Sequence, residues 1–391
     1  MLTLKLKPRE ERRLRAGHLW VYSNEIQVDD KFRTIEAGTL CRINDSRDKP
    51  LGTGYVNPRT LLTVRLLSSD GRAVIDQAWF ERRIQSALDL RQRLYAEPHY
   101  RLVFGESDGL PGLVVDRYGD VCVVQITTAG MELLKAQIVA ALQAVVRPRG
   151  IVLRNDSSAR ELEGLTAYVE VVGEVPAPLE VLEDGLRYAV DVQGGQKTGF
   201  FFDQRDNRAR LARYVKGRSV LDVFSYVGAW AQRAARDGAT QVSCIDSSQP
   251  ALDAALTSAK LNQLQIETIR GDALDVLKTL RAEGRTFDVV IVDPPALIKR
   301  RKDFDAGIEH YAALNRAAMQ LLSTDGILIS CSCSHHLEAD DLQRILLRES
   351  RTTGRRLQIL EEGGQGADHP VHPAIPETRY LKAFVCRAVA G

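Results

Sequence analysis

Ser219-Val220-Leu221-Asp222-Val223-Phe224-Ser225-Tyr226-Val227-Gly228-Ala229-Trp230 is the stretch whose reading decides the fold. A short β-branched run ends in an Asp, a polar turn containing Gly follows, and an Ala-rich segment over 229–235 comes next. That is the pattern of the first strand, turn and helix of an open α/β sheet, where ligands sit at the carboxyl ends of the strands and the turn backbone comes close to them. Any buried strand leading into a helix shares the pattern, so the neighbouring sequence has to discriminate. Strand-like runs recur at 241–246, 268–272, 287–293 and 326–330, with helical segments between them. Such alternation predicts a largely parallel sheet with helices on both faces.

Upstream the pattern changes twice. Residues 1–72 read as a small β-barrel, with short alternating runs such as Leu61-Leu62-Thr63-Val64-Arg65-Leu66 punctuated by Gly38, Gly52 and Gly54. Lys5, Lys7, Arg9, Arg12, Arg13 and Arg15 crowd its start and are followed by Trp20 and Tyr22. Such a set can hold phosphates and stack bases, or equally be a solvated basic turn beside core aromatics. Residues 73–184 read as a middle α/β module opened by a helix that Asp76 caps and Pro98 stops. Residues 185–391 then form the α/β domain built around the opening stretch.

The totals narrow the function class. With 391 residues, 44% hydrophobic and 27% charged, the chain is an ordinary globular protein long enough for two or three domains. A net charge of only +2 means that any nucleic-acid footprint must be local. No apolar run approaches a bilayer span and the N-terminus has no apolar signal core, so the expectation is a cytoplasmic protein away from membranes. Six cysteines without a CxxC pair argue against a disulfide scaffold and against a metal site.

Four strand ends of the last domain finish in an acid: Asp222, Asp246, Asp272 and Asp293. One such Asp is an ordinary helix cap, whereas four in succession suggest a single ligand lying across the sheet edge. Asp246 follows Asp222 at about the interval where nucleoside-binding α/β folds place an acid on ribose hydroxyls. The turn lacks the three-glycine dinucleotide fingerprint, so a nucleoside cofactor without phosphates fits better.

These residues together resemble the class I S-adenosylmethionine-dependent methyltransferases, in particular the bacterial large-subunit ribosomal RNA cytosine-C5 methyltransferases that carry an N-terminal PUA domain. The matching pieces are the Gly195 to Arg205 segment, the Asp222 to Gly228 turn, Asp293-Pro294-Pro295 and Ser332-Cys333-Ser334. Further matches are Gly109 to Asp116 in the middle module and the end, from Ala367-Asp368-His369-Pro370 through Tyr380-Leu381-Lys382. The resemblance implies a PUA-like barrel, a middle module and a Rossmann-like methyltransferase domain. It implies S-adenosylmethionine as cofactor and large-subunit ribosomal RNA as partner, and it suggests a homodimer. Phe224, Ser225, Tyr226 and Gly228 would pass beneath the methionine end of the cofactor, Asp246 would accept the ribose hydroxyls and Asp272 the adenine amino group. Asp222, Ser247, Ala273 and Asp293 complete the cofactor set, while Lys197, Thr198 and Phe200 would close over it. Asp293 would face the methyl-transfer centre, and Cys333 matches the family's nucleophile.

The chemistry agrees with a thiol. Carbon 5 of a pyrimidine is a poor nucleophile until carbon 6 is attacked, and a thiolate both attacks well and leaves well. Cys331, two residues earlier on a strand, is the internal competitor. One departure concerns a second cysteine that some RNA cytosine-C5 methyltransferases have after the fourth-strand Pro, whereas here Pro294 is followed by Pro295-Ala296. That leaves Asp293 or a water to assist loss of the carbon 5 proton. Enzymes that methylate amines of adenine or guanine share the Asp-Pro-Pro run but follow it with an aromatic that stacks the base, which Ala296 cannot do. Two rivals to this reading are an amine methyltransferase and a non-catalytic RNA-binding protein with a vestigial cofactor fold. Lys299-Arg300-Arg301-Lys302 is read as a phosphate-binding run or as solvated charge. Arg205, Arg208, Arg210 and Arg213, at helical spacing, are expected to decorate a surface face, and Asp368-His369-Pro370 to form a capping turn.

Overall fold

A computed structural model describes residues 1–195 and 198–391 and divides into two units. The first comprises Met1–Leu179 with the later segments Asp191–Gly199 and Ala367–Thr378. It opens with a five-stranded sheet in the order Leu2–Lys5, Thr39–Asn44, Pro50–Val56, Leu62–Ser68, Trp20–Tyr22. Alternating residues Leu4, Cys41, Ile43, Val56, Val64 and Leu66 point into a common core. At Gly54 a side-chain carbon would fall 2.2 Å from the Arg65 carbonyl oxygen, so the strands pass too closely there for any other residue.

Asp76 caps the helix Gln77–Leu94 by accepting from the Trp79 amide at 2.8 Å. Phe80, Ile84 and Leu88 of that helix pack against a second sheet, ordered Tyr168–Gly173, Gly150–Asn155, Val121–Ile126, Leu113–Tyr118, His99–Phe104. Its one parallel pair, Val121–Ile126 with Gly150–Asn155, is joined through the helices Ala129–Leu133 and Lys135–Val145, as a parallel crossover requires. Tyr55 and Leu67 of the barrel enter this same core, and the Tyr55 hydroxyl donates to the Pro111 carbonyl at 2.8 Å. Barrel and middle module therefore share buried surface.

The second unit comprises Glu180–Val190, Phe200–Gly366 and Arg379–Gly391. Its sheet contains β1 (Ser219–Val223), β2 (Gln241–Asp246), β3 (Glu267–Arg270), β4 (Phe287–Val292), β5 (Leu322–Ser332), β6 (Arg355–Gly363) and β7 (Lys382–Ala390). The spatial order is β3-β2-β1-β4-β5-β7-β6, with the first five parallel and β7 antiparallel to both neighbours. The helices are α1 (Ala229–Arg236), α2 (Gln249–Leu261), α3 (Ala273–Ala282), α4 (Phe304–Leu321) and α5 (Ala339–Thr352).

Continuous apolar strands follow from burial on both faces. Leu221, Val223, Val290 and Val292 meet Leu277 of α3, Leu314 of α4 and Leu342 of α5, while Val220, Val289 and Ile291 meet Trp230 of α1 and Leu252 of α2. The strand order reverses between β1 and β4, and their carboxyl ends open a crevice where this architecture binds ligands. Among the described residues no helix is long and apolar enough to cross a membrane.

Candidate active site

The turn leaving β1 is conformationally demanding. Phe224 (φ 67°), Tyr226 (φ 49°) and Gly228 (φ 74°) are all left-handed, a region that costs a side chain on the order of 1 kcal/mol and that recurs at functional sites. The Ser225 amide donates to the Ile245 carbonyl at 2.9 Å, and the Tyr226 amide to Asp246 Oδ2 at 2.9 Å. Asp246 Oδ1 accepts from the Ser248 amide at 2.9 Å, so this half-buried carboxylate is aimed by two backbone donors. At Gly228 a side-chain carbon would lie 2.9 Å from Ala255 Cβ, so packing against α2 requires glycine there as much as any ligand would.

Asp222 is fully buried. Its Oδ2 accepts from the Ala231 amide of α1 at 3.1 Å, and Oδ1 is buried without a hydrogen-bond partner among the described residues. Burial, reinforced by the Asp293 charge, pushes its carboxyl up to about 8. Asp293, just past β4, accepts from Gln204 Nε2 at 2.9 Å on one oxygen and from Trp230 Nε1 at 3.0 Å on the other. Its enclosure pushes it up to about 6, against the pull of the Trp230 bond.

The sign of the Asp222 shift predicts a pH effect. A carboxyl raised on folding penalises the folded state as pH climbs, from the unfolded value near 4 to the folded value of about 8. Asp222→Asn should therefore gain stability relative to the parent chain through that window and level off above it. Thermal unfolding of both chains from pH 5 to 9 measures this. A constant difference would show that the carboxyl is not destabilising as the anion.

Cys333 leaves β5 half-exposed, with Sγ 3.9 Å from the Pro294 carbonyl oxygen. Its flanking serines are pinned: Ser332 Oγ donates to the Tyr311 hydroxyl at 2.8 Å, and Ser334 Oγ lies 2.9 Å from that hydroxyl while accepting from the Ile298 amide at 3.1 Å. Lys382, the first residue of β7, donates to the Ser334 and Tyr380 carbonyls at 2.6 and 2.8 Å. Cys331 is fully buried, and burial pushes its thiol well up, which leaves it neutral and shielded. Burial therefore separates the two cysteines that the sequence leaves in competition.

Residues 133–387 match the S-adenosylmethionine-dependent methyltransferase family, and residues 4–69 match the PUA-like domain. The chain belongs to the S-adenosylmethionine-dependent methyltransferase family. Relatives of this methyltransferase include the ribosomal RNA large subunit methyltransferase I of Klebsiella pneumoniae (strain 342), 39% identical over 99% of this chain and 98% of that one. The protein of the same name from Escherichia coli O9:H4 is 38% identical, over 99% of both chains. Two solved structures share the fold with a TM-score of 0.83. One, from Streptococcus mutans and described as a SAM-dependent methyltransferase, is 22% identical, covering 99% of this chain and 100% of that one. The other, described as a methyltransferase complexed with SAH, is 23% identical with the same coverage.

The methyltransferase's own residues fit its cofactor. The β1 turn offers a bent backbone cradle, Asp246 retains acceptor capacity, and Asp222 Oδ1 is a buried oxygen without a hydrogen-bond partner among the described residues. Among the described residues no cluster of His, Cys, Asp or Glu is arranged to hold a metal ion.

The remaining expected site residues fall in different surroundings. Asp272 lies two residues beyond the end of β3, exposed, and its Oδ1 caps α3 through the Leu274 and Asp275 amides at 3.0 and 3.3 Å. Ser247 is exposed and Ala273 buried at the start of α3. Phe200 is buried among Tyr188, Phe202 and the Arg208 guanidinium. Thr198 belongs to the first unit, where its hydroxyl donates to Asp116. Lys197 lies outside the described residues.

One further expectation changes. Arg205 and Arg208 are buried and pair with Glu183, because they occupy one short turn, Arg205–Ala209, covered by the chain instead of a solvent-facing helix. The Asp368 and His369 side chains are also buried, with His369 Nδ1 2.8 Å from Asp368 Oδ1 and Asp368 Oδ2 accepting from the Arg101 amide at 2.9 Å. Lys299 to Lys302 are exposed just after Asp293-Pro294-Pro295. In the barrel, Lys5, Arg13 and Arg15 pair with Asp48, Glu25 and Asp45. Sequence reading gave no role to Gln204, Trp230, Tyr311 or Lys382. Gln204, Trp230 and Lys382 sit inside quoted stretches, which is their only signal in the sequence.

Proposed function

We propose that this methyltransferase forms 5-methylcytidine in large-subunit ribosomal RNA, with Cys333 adding to carbon 6 of the target cytosine. The observation that carries the reading is the thiol itself. Cys333 is the half-exposed one of six cysteines, the other five being buried, and it leaves β5 beside the Asp293 strand end. Relatives aligned over nearly the whole chain bear the name ribosomal RNA large subunit methyltransferase I, which supports the substrate.

Bound S-adenosylmethionine supplies an electrophilic methyl group. Asp246 would hold its ribose and the 224–228 turn its methionine end, with Asp272 and Ser247 flanking the adenine. Extrusion of the cytosine from its stack brings carbon 5 into the crevice. The Cys333 thiolate adds to carbon 6, carbon 5 becomes nucleophilic and is methylated, and loss of the carbon 5 proton expels the thiolate. Asp293 is the candidate acceptor of that proton. A carboxyl titrating at about 6 is mostly ionised at neutral pH yet a stronger base than an exposed Asp. The exposed Lys299–Lys302 run would hold RNA phosphates beside the site.

The test is methyl transfer from labelled cofactor to protein-free large-subunit RNA taken from cells lacking the gene, with nucleoside analysis of the product. Label in 5-methylcytidine is expected. Label in an exocyclic amine of adenine or guanine would leave the fold and cofactor intact and overturn the substrate atom.

A further inference from the structure

Lys382 is an unusual residue for its position. It is only 9% exposed, and lysine is rarely buried without a charged partner. It stands opposite Ser332 in the antiparallel β5–β7 ladder, and its Nζ donates to the carbonyl of Ser334. Ser332 and Ser334 are the two neighbours of Cys333, so the ammonium is fixed within one residue of the thiol. The second carbonyl, that of Tyr380, holds it from its own strand. Two carbonyl oxygens can solvate a cation but cannot neutralise it.

Groups that act on the thiol include Lys382 of β7, the Tyr311 hydroxyl of α4, the Pro294 carbonyl after β4 and the buried Cys331 of β5. Asp293, which precedes Pro294, acts on Cys331. The acids that interact with the lysine are Cys333 itself and Glu338, an exposed residue at the start of α5. Burial pushes the Lys382 ammonium down to about 8, while Cys333 and Glu338 pull it back up.

We propose that Lys382 is the positioning residue for Cys333, its buried ammonium holding the sulfur as a thiolate and in place for attack. The inference rests on the reading of Cys333 as nucleophile and adds the group that prepares it. Ionisation moves one proton off Sγ. Where the lysine starts as the neutral amine, that proton ends on Nζ, and the pair becomes ammonium and thiolate with unchanged total charge and no electron transfer. A cation beside a thiol is a general means of lowering its pKa.

The experiment is the pH dependence of carbamidomethylation of the full chain by iodoacetamide, read at Cys333 by peptide mass spectrometry. The other five cysteines are buried, which favours a reading at one site. Lys382→Gln should move the reactivity profile to higher pH and slow alkylation at pH 7 by about tenfold, whereas Lys382→Arg, which keeps the charge, should stay near the parent profile. Superimposable Gln and parent profiles would overturn the proposal, and so would an Arg profile as high as that of Gln. A measurement on the unsubstituted chain guards against a misfolded variant. Blocking Cys333 removes the negative partner, so Lys382 should titrate lower and react faster with acetic anhydride at pH 7; unchanged labelling counts against the pairing. Methyl transfer separates this from the function itself. An inactive Cys333→Ala with an unmoved thiol profile in Lys382→Gln sinks only the lysine's role, and an active Cys333→Ala sinks the nucleophile.

Discussion

Cys333→Ala is expected to lower methyl transfer by at least about 10⁴-fold, the scale on which enzymes lose turnover when a covalent nucleophile is removed. Cofactor affinity should barely change. The residues assigned to the methionine end, ribose and adenine of S-adenosylmethionine lie at the carboxyl ends of β1, β2 and β3, whereas Cys333 follows β5 and its flanking serines are held by Tyr311. Calorimetry with S-adenosylmethionine and single-turnover transfer to RNA read the two halves independently. Cys331→Ala provides the contrast: the residue lies inside β5, fully buried, and should cost some stability from the small cavity but little turnover. Equal loss of binding and turnover in Cys333→Ala would indicate that the cysteine supports the cofactor site and is not the nucleophile. Full activity in that variant would turn attention to the Asp293-Pro294-Pro295 edge and to methylation of an amine.

Much of this architecture was legible because its signals are local. The strands β1 and β4 are buried on both faces, so Val220, Leu221 and Val223 of the one and Val289 to Val292 of the other are apolar on either side of the sheet, and their carboxyl ends are marked by Asp222 and Asp293. Asp76 announced its helix by capping it. What stayed hidden depends on partners distant in sequence. β7 enters the sheet between β5 and β6, and only that register brings Lys382 opposite Ser332. Tyr311 looks like one more core aromatic of α4 until its hydroxyl is found between two serines. Asp272 shows the converse. An acid near a strand end suggests a cofactor contact from sequence alone, while the fold also uses it to cap α3, and its adenine role is left to be tested. The arginines at 205 and 208 carry helical spacing, but spacing does not reveal that the helix is a single turn or that an acid in an earlier hairpin waits for them.

That acid carries the second large prediction. Glu183 accepts from Arg208 Nε at 2.8 Å and Nη2 at 2.6 Å, and from Arg205 Nε at 3.2 Å, with all three side chains nearly inaccessible to water. Arg208 also donates to the Phe201 carbonyl at 3.0 Å and stands over the Phe200 ring, so the pair ties the Leu179–Glu183 and Leu186–Val190 hairpin to the segment carrying Gln204. Removing one partner of a buried ion pair strands the other charge, at a cost of about 3–5 kcal/mol. Glu183→Gln takes the Glu183 carboxylate from two guanidinium groups at once, whereas Arg208→Met leaves Glu183 paired with Arg205. The Gln variant should therefore be the more destabilised of the two, although it is the smaller change in shape. Urea unfolding can be followed through Trp230 in a background with Trp20 and Trp79 replaced by Phe, because Trp230 alone of the three lies in this unit. The same loosening should reach the chemistry through Gln204, which holds one oxygen of Asp293, so Glu183→Gln should lose turnover at temperatures where it is still folded. If Arg208→Met proved the worse variant, the cost would lie in lost packing around Phe200 and not in unpaired charge.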